Sequence, residues 1–245
     1  MKKYREGTGV LFFLLLLGIG LEIVKPEERW GQKIPEVMID AISEENVRAE
    51  NEIARIQNMG ENKKIALTFD DGPHPIYTQK MLEVLEKEQI PATFFLLGQN
   101  VETNGEVVKE IAEKGHLIGN HTYHHVQVTT LPVEQACEEI DRTNQLIEEL
   151  TGRGTEYVRP PFGTWNQGLE AELDMIPVMW TIDTMDWMTE NVDSIVNQVV
   201  KNAGENDIIL MHDSYKSTVQ AVERIIALLR ANGFEFVTVD EVIMD

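Results

Sequence analysis

The sequence is poor in cysteine, in basic residues and in long apolar runs, and each shortage excludes something. A single cysteine, Cys137, among 245 residues rules out an intrachain disulfide and any zinc-thiolate site. It lies at helical spacing in PVEQACEEIDRTNQLIEEL, where packing is the expected role of a lone thiol. Only 21 basic residues stand against 42 acidic ones, a formal charge of −21, so nucleic acid and anionic membrane surfaces are repelled. One long apolar run is present, VLFFLLLLGIGLEIV, about 15 residues behind the basic stretch MKKYREGTG. That order matches a secretory signal or a signal anchor over residues 1–25, and either exports the rest of the chain. Glu22 ends the run short of the roughly 20 residues of a full span. No small-x-small cleavage site and no cysteine for lipidation come after it, which favours an uncleaved anchor with Lys2, Lys3 and Arg5 on the cytoplasmic side.

Residues 26–63 are acidic and polar and read as a stalk or linker. No internal repeat stands out. From residue 64 to 245, short apolar runs alternate with helical patterns. The expected strands are Ile65–Phe69, Ala92–Leu97, Leu117–Gly119, Tyr157–Arg159, Val178–Asp183, Ile208–Met211 and Phe234–Val239. Helices are expected over Thr78–Glu88, Val101–Lys114, Pro132–Leu150, Val192–Ala203 and Thr218–Asn232. Strands separated by helices pair in parallel, because parallel neighbours need a crossover of that length. An open doubly wound sheet and a barrel both fit. The polar residues favour the barrel: Asp70, Asp71, His121, Arg159, Asp183, Asp186 and His212 all fall at or just past the C-terminal ends of five different strands. The expectation is therefore an α/β fold, a distorted (β/α) barrel of about seven parallel strands with its active site on the C-terminal rim.

Two short stretches carry the chemistry. In TFDDGPHP two carboxylates stand side by side where a buried strand ends, although a turn needs only one Asp. In GNHTYHH, His121 and His125 are four apart and, were the chain to turn into a helix there, would face one side and chelate one metal; His124 offers a three-residue alternative. Two imidazoles and one carboxylate leave a divalent metal open positions, the layout of a catalytic site. One acid of the Asp70–Asp71 pair would then bind metal and the other take a proton.

Taken in order, TFDDGP, HTYHH, RPPFG, DTMDW and LMH resemble the five motifs of the polysaccharide deacetylases, the NodB-homology domain of carbohydrate esterase family four, over roughly residues 64–245. The resemblance implies Asp70 as general base, Asp71, His121 and His125 as metal ligands, and His124 as a variable position. It implies that Arg159 pairs with the base, that the Phe162 amide helps hold the oxyanion, and that Asp186 orients His212, the general acid. Trp187 and Leu210 would line the acetyl-methyl pocket, and Phe162 stands where the motif often has Tyr, which removes a hydroxyl. The implied cofactor is one divalent ion; zinc suits the ligands, and cobalt, nickel, manganese or iron would also be accommodated. The implied activity is removal of N-acetyl groups from GlcNAc residues of a polysaccharide, with acetate released. An anchored or secreted domain would meet peptidoglycan beside the membrane; chitin oligomers and O-acetylated xylan are rivals, and a small-amide hydrolase or a catalytically silent wall-binding protein are readings from other classes. Oligomeric state is left open.

The chemistry calls for these residue types. An unactivated amide resists water, so a metal polarises the carbonyl, a carboxylate accepts the proton of the attacking water and an imidazolium supplies one to the departing amine. Arg159 beside Asp70 is expected to keep that base ionised. His116 is expected at the far end of the barrel, His74 in a local turn role, Trp180 in the core, Trp30 at an interface, and Trp165 either packing or stacking on sugar.

Overall fold

The strand that bears the paired acids is the longest of the described strands. Lys63–Gly72 (β1) is buried without a break from Ile65 to Asp70, as a parallel strand covered on both faces must be. Its alternate residues part company: Ile65, Leu67 and Phe69 pack against the helices, while Ala66 belongs to a separate cluster with Phe95, Val178, Ile208 and Val239 inside the curl of the sheet. In this computed structural model the described residues are 63–244. The expected signal or anchor and, apart from Lys63, the expected stalk lie outside them.

The chain continues through α1 (Tyr77–Glu88), β2 (Thr93–Leu96), α2 (Gly98–Thr103), α3 (Gly105–Glu113) and β3 (Leu117–Asn120). Then come α4 (Val133–Thr151), β4 (Tyr157–Val158), α5 (Gln167–Glu172), β5 (Ile176–Pro177) and β6 (Ile182–Asp183). It ends with α6 (Val192–Asn202), β7 (Asp207–His212), α7 (Lys216–Ala231), β8 (Phe234–Val237) and α8 (Val239–Ile243). All pairings are parallel, in the order β5-β4-β3-β2-β1-β7-β6. Strand β7 lies along one edge of β1; β8 and β2 share the other, against Lys63–Ala66 and Thr68–Gly72 respectively.

The expected strand Val178–Asp183 is the main departure. The Val178 amide still bonds the Val158 carbonyl on one margin of the sheet, and by Thr181 the amide bonds the Ile208 carbonyl on the other. Met179 and Trp180 alone bridge the two margins, so Cα178 and Cα181 are at most about 11 Å apart. The sheet must therefore curl almost shut, and the result is a distorted (β/α) barrel. An unbroken apolar run hides this crossing, because what ends the ladder is a buried cation from elsewhere: the Arg159 guanidinium donates to the carbonyls of Val178 (3.1 Å) and Met179 (3.2 Å).

The expected helix Val101–Lys114 is two, α2 and α3, parted at Asn104, whose side-chain amide donates back to the Asn100 carbonyl at 3.0 Å. Inside the curl, Gly119 is obligatory. A Cβ there would stand 2.3 Å from the ring of Phe95, its partner across the β2–β3 ladder. Burying that ring contributes roughly 1.5–3 kcal/mol. The Arg159 guanidinium lies over it, 4.1 Å from the centroid. Among the described residues no helix is long and apolar enough to cross a membrane.

Candidate active site

Strand register does the first assembly. Asp70 is the direct partner of His212 across the β1–β7 ladder, so the predicted base and acid emerge side by side on one rim. Asp71 should point to the opposite face. Instead the β1–β2 register slips between Asp70 and Gly72, and Asp71 takes a left-handed backbone (φ 70°) that turns its carboxyl to the same mouth. The turn is pinned from outside: Asn100 donates to the Asp71 carbonyl at 2.8 Å, and the Leu97 amide to the Gly72 carbonyl at 2.9 Å.

The histidine segment does not turn into a helix. Thr122 and His125 are both left-handed (φ 67° and 59°), and the Thr122 amide bonds the Asn120 side-chain oxygen at 2.7 Å. The Thr122 and Tyr123 carbonyls accept from the first amides of α2. With its backbone groups committed elsewhere, the loop still brings the rings of His121 and His125 to 5.0 Å between centroids. His124 turns away, its ring and its amide both bonded to the Glu139 carboxylate at 2.8 Å.

Nitrogen and oxygen atoms of Asp71, His121 and His125 lie within 4.8 Å of one another, with each Nε2 3.5 Å from Asp71 Oδ1. Three observations fit this cluster to a cation. Asp71 Oδ1 is buried and has no hydrogen-bond partner. His121 donates from Nδ1 to the Arg159 carbonyl at 2.6 Å, which leaves the Nε2 lone pair facing the cluster. Burial also lowers the His121 pKa to about 3, so the ring is neutral, as a ligand must be.

Arg159 lies beneath the mouth, wholly buried, and its Nη1 donates both to Asp70 (2.8 Å) and to the Thr68 hydroxyl (2.6 Å). The Arg159 charge and hydrogen bond favour the ionised form of Asp70, as expected. Burial outweighs the Arg159 and His212 charges, and the Asp70 carboxyl sits above the ordinary carboxylate value, a stronger base for it. Behind His212, Asp186 accepts from Nδ1 and from the His212 amide, both at 2.8 Å, and from the Thr218 hydroxyl at 2.7 Å. Burial alone would lower His212; the Asp186 hydrogen bond and charge, with Asp70 and Asp71, raise it to about 9. Its Nε2 faces the mouth, 3.9 Å from Asp71 Oδ2.

These groups open into a cavity of about 350 Å³ whose apolar walls include Leu210, Trp187, Trp180 and Phe162. Phe162 is exposed and left-handed (φ 61°), its ring 4.9 Å from that of His125. Holding a bulky residue there costs about 1–3 kcal/mol. Trp180, expected in the core, is half-buried, packing on the interior cluster while lining the cavity. Trp165 and Cys137 pack in the cluster around α4 and α5, and His116 accepts from the Ala92 amide at 3.2 Å. His74 accepts from the Ile76 and Tyr77 amides at the start of α1, a local role, and Asp183 both lines the cavity and accepts from the Met185 amide. Trp30 lies outside the described residues.

Sequence reasoning missed Thr68, Asn120 and Thr218. Thr68 was within reach, since it shares its face of β1 with Asp70 two residues on. Asp213, next to His212, was also passed over; it is wholly buried, and that burial pushes its carboxyl up to about 7.

A curled parallel barrel with a buried carboxyl, an imidazole and a three-donor cluster between them has the layout of an acid–base hydrolase. The polysaccharide deacetylase family profile matches residues 57–178. The chain is 36% identical over 180 residues to the peptidoglycan-N-acetylglucosamine deacetylase PgdA of Listeria monocytogenes, covering 74% of this chain and 39% of that one. It is 38% identical over 179 residues to the peptidoglycan-N-acetylmuramic acid deacetylase PdaC of Bacillus subtilis, covering 73% and 38%. The solved structure of PdaC superposes with a TM-score of 0.73 at 37% identity, over 75% of this chain and 91% of that chain. The Bacillus anthracis protein BA3943, a pseudoenzyme of carbohydrate esterase family four, superposes at 0.70 with 29% identity, over 75% and 66%. This chain belongs to the polysaccharide deacetylase family. It spans about two-fifths of the length of PgdA and PdaC.

Proposed function

We propose that the protein is an exported, metal-dependent deacetylase that removes N-acetyl groups from GlcNAc residues of peptidoglycan and releases acetate. The observation that carries this reading is the convergence of Asp71, His121 and His125 on one point of the mouth, with Asp70 and His212 beside them. When bound, a divalent ion such as zinc would polarise the acetyl carbonyl and lower the pKa of water there. Everything else falls to the chain. Asp70 accepts a proton from the attacking water, whose oxygen bonds the carbonyl carbon. His212 donates its Nε2 proton to the sugar nitrogen as the C–N bond breaks, which yields acetate and a free amine. Asp186 holds the imidazole in the protonated form that step needs. Leu210 and Trp187 enclose the methyl group, and the Phe162 amide meets the carbonyl oxygen.

Export rests on the basic-then-apolar N-terminal sequence, which anchors the catalytic domain outside the membrane or, if cleaved, releases it; the boundaries 1–25, 26–63 and 64–245 belong to the same reading. Similarity to PdaC supports N-acetylmuramic acid as a second substrate residue. The presence of base, acid and all three donors argues against the silence of BA3943. The test is acetate release from peptidoglycan, chitooligomers and acetylated xylan, with and without chelator. Asp70→Asn should keep metal and lose on the order of 10²–10⁴ in turnover. Asp71→Asn should lose both. Glycan binding without acetate release in metal-loaded wild type would overturn the reading.

A further inference from the structure

The proposed mechanism leaves one buried acid without employment. Asp213 is wholly enclosed, one residue past the proposed general acid, yet its side chain faces the other way, onto the turn that carries Asp71. Its Oδ2 accepts from the Thr78 hydroxyl at 2.5 Å. That same hydroxyl accepts from the His74 amide at 2.7 Å. Both carboxylate oxygens press against Gly72, where a Cβ would stand 2.6 and 2.8 Å from them. Residues 71–74 are thus gripped on two sides: Asn100 and Leu97 hold the carbonyls of Asp71 and Gly72, while Thr78 and Asp213 hold the opposite flank.

We propose that Asp213, acting through Thr78 and Gly72, is a positioning residue that fixes the left-handed Asp71 turn and so sets the affinity of the Asp71–His121–His125 cluster for a divalent cation. The Asp71 backbone sits in a strained region, and strained geometry persists only where its surroundings over-determine it. A small alanine at 213 would leave Gly72 free to move and Thr78 without its acceptor. The turn would relax, and Asp71 Oδ1 would drift from the two imidazoles. Groups that orient ligands typically contribute about 10–100-fold to metal affinity.

The inference rests on the metal reading of the cluster, and the experiment separates the two. Co²⁺ is titrated into the chelator-treated full chain, with affinity from competition with a fluorescent chelator and geometry from the visible absorption of the bound ion. Thr78→Val and Asp213→Ala should each bind Co²⁺ about 10–100-fold more weakly, with an altered spectrum. Thr78→Ser, which keeps the hydroxyl, should restore wild-type affinity and spectrum, a rescue that a merely structural role for the Thr78 methyl would not give. Thr78→Val is nearly isosteric and carries the test should Asp213→Ala fail to fold. Wild-type affinity and spectrum in Thr78→Val overturn the positioning role alone. Failure of the wild-type chain to bind Co²⁺ overturns the metal reading on which it stands.

Discussion

Replacing Asp186 by Asn removes the charge that keeps His212 protonated, and the consequence can be traced in folding stability as well as in turnover. In the folded protein the His212 pKa is about 9 against an ordinary 6.5. Between those values the native state binds a proton that the unfolded chain has released, so stability falls as pH rises through the window. The stabilisation is fully present below 6.5 and gone above about 9. At 1.36 kcal/mol per pKa unit the difference is about 3 kcal/mol. The side chain is 13% exposed, so little of this is screened by solvent. In Asp186→Asn, burial is opposed only by Asp70 and Asp71, and the pKa should fall to the ordinary value or below it. Urea melts of chelator-treated protein across pH 6–10 are the assay. The wild type should lose about 3 kcal/mol more than the variant over that range. Parallel stability curves would refute the reasoning. In the metal-loaded enzyme the same substitution should bring the basic limb of kcat to lower pH.

The packing around the mouth sets three further outcomes. His125→Ala should abolish tight metal binding, whereas His124→Ala, which loses a surface pair with Glu139 worth about 0–1 kcal/mol and an edge contact with the Tyr123 ring, should leave it intact; a chelator-competition assay separates them. Gly119→Ala should destabilise the domain by about 1–3 kcal/mol in urea melts, because the new methyl group meets the Phe95 ring. Arg159→Met should cost about 3–5 kcal/mol by stranding Asp70 uncompensated. With the lowering influence of Arg159 gone, Asp70 rises further and the acid limb of kcat/KM should move to higher pH.

Much of the architecture could be read from period and punctuation. Apolar runs such as Ile65 to Phe69 carry their own signal, and the chemical groups at five strand ends pointed to a rim rather than to a single crevice. The ten site residues named from the sequence gather around one mouth, with Arg159 beneath it and Asp186 behind. What escaped depends on partners distant in the chain. The run Val178 to Asp183 breaks because Arg159 takes its carbonyls; the His121–His125 loop avoids a helix because Asn120 and α2 take its backbone groups. Local propensity holds no record of either. The upward push of burial on Asp70 is invisible locally for the same reason, since burial is a property of the whole barrel.

The guanidinium of Arg159 touches Thr68, Asp70, Val178 and Met179 at once. One side chain is therefore both clasp and tuning peg: it fastens the seam of the barrel and holds the Asp70 carboxyl at the mouth. Mutational drift cannot adjust one duty without disturbing the other, so new substrate ranges in such a scaffold should arise by exchanging rim loops, with the clasp left untouched.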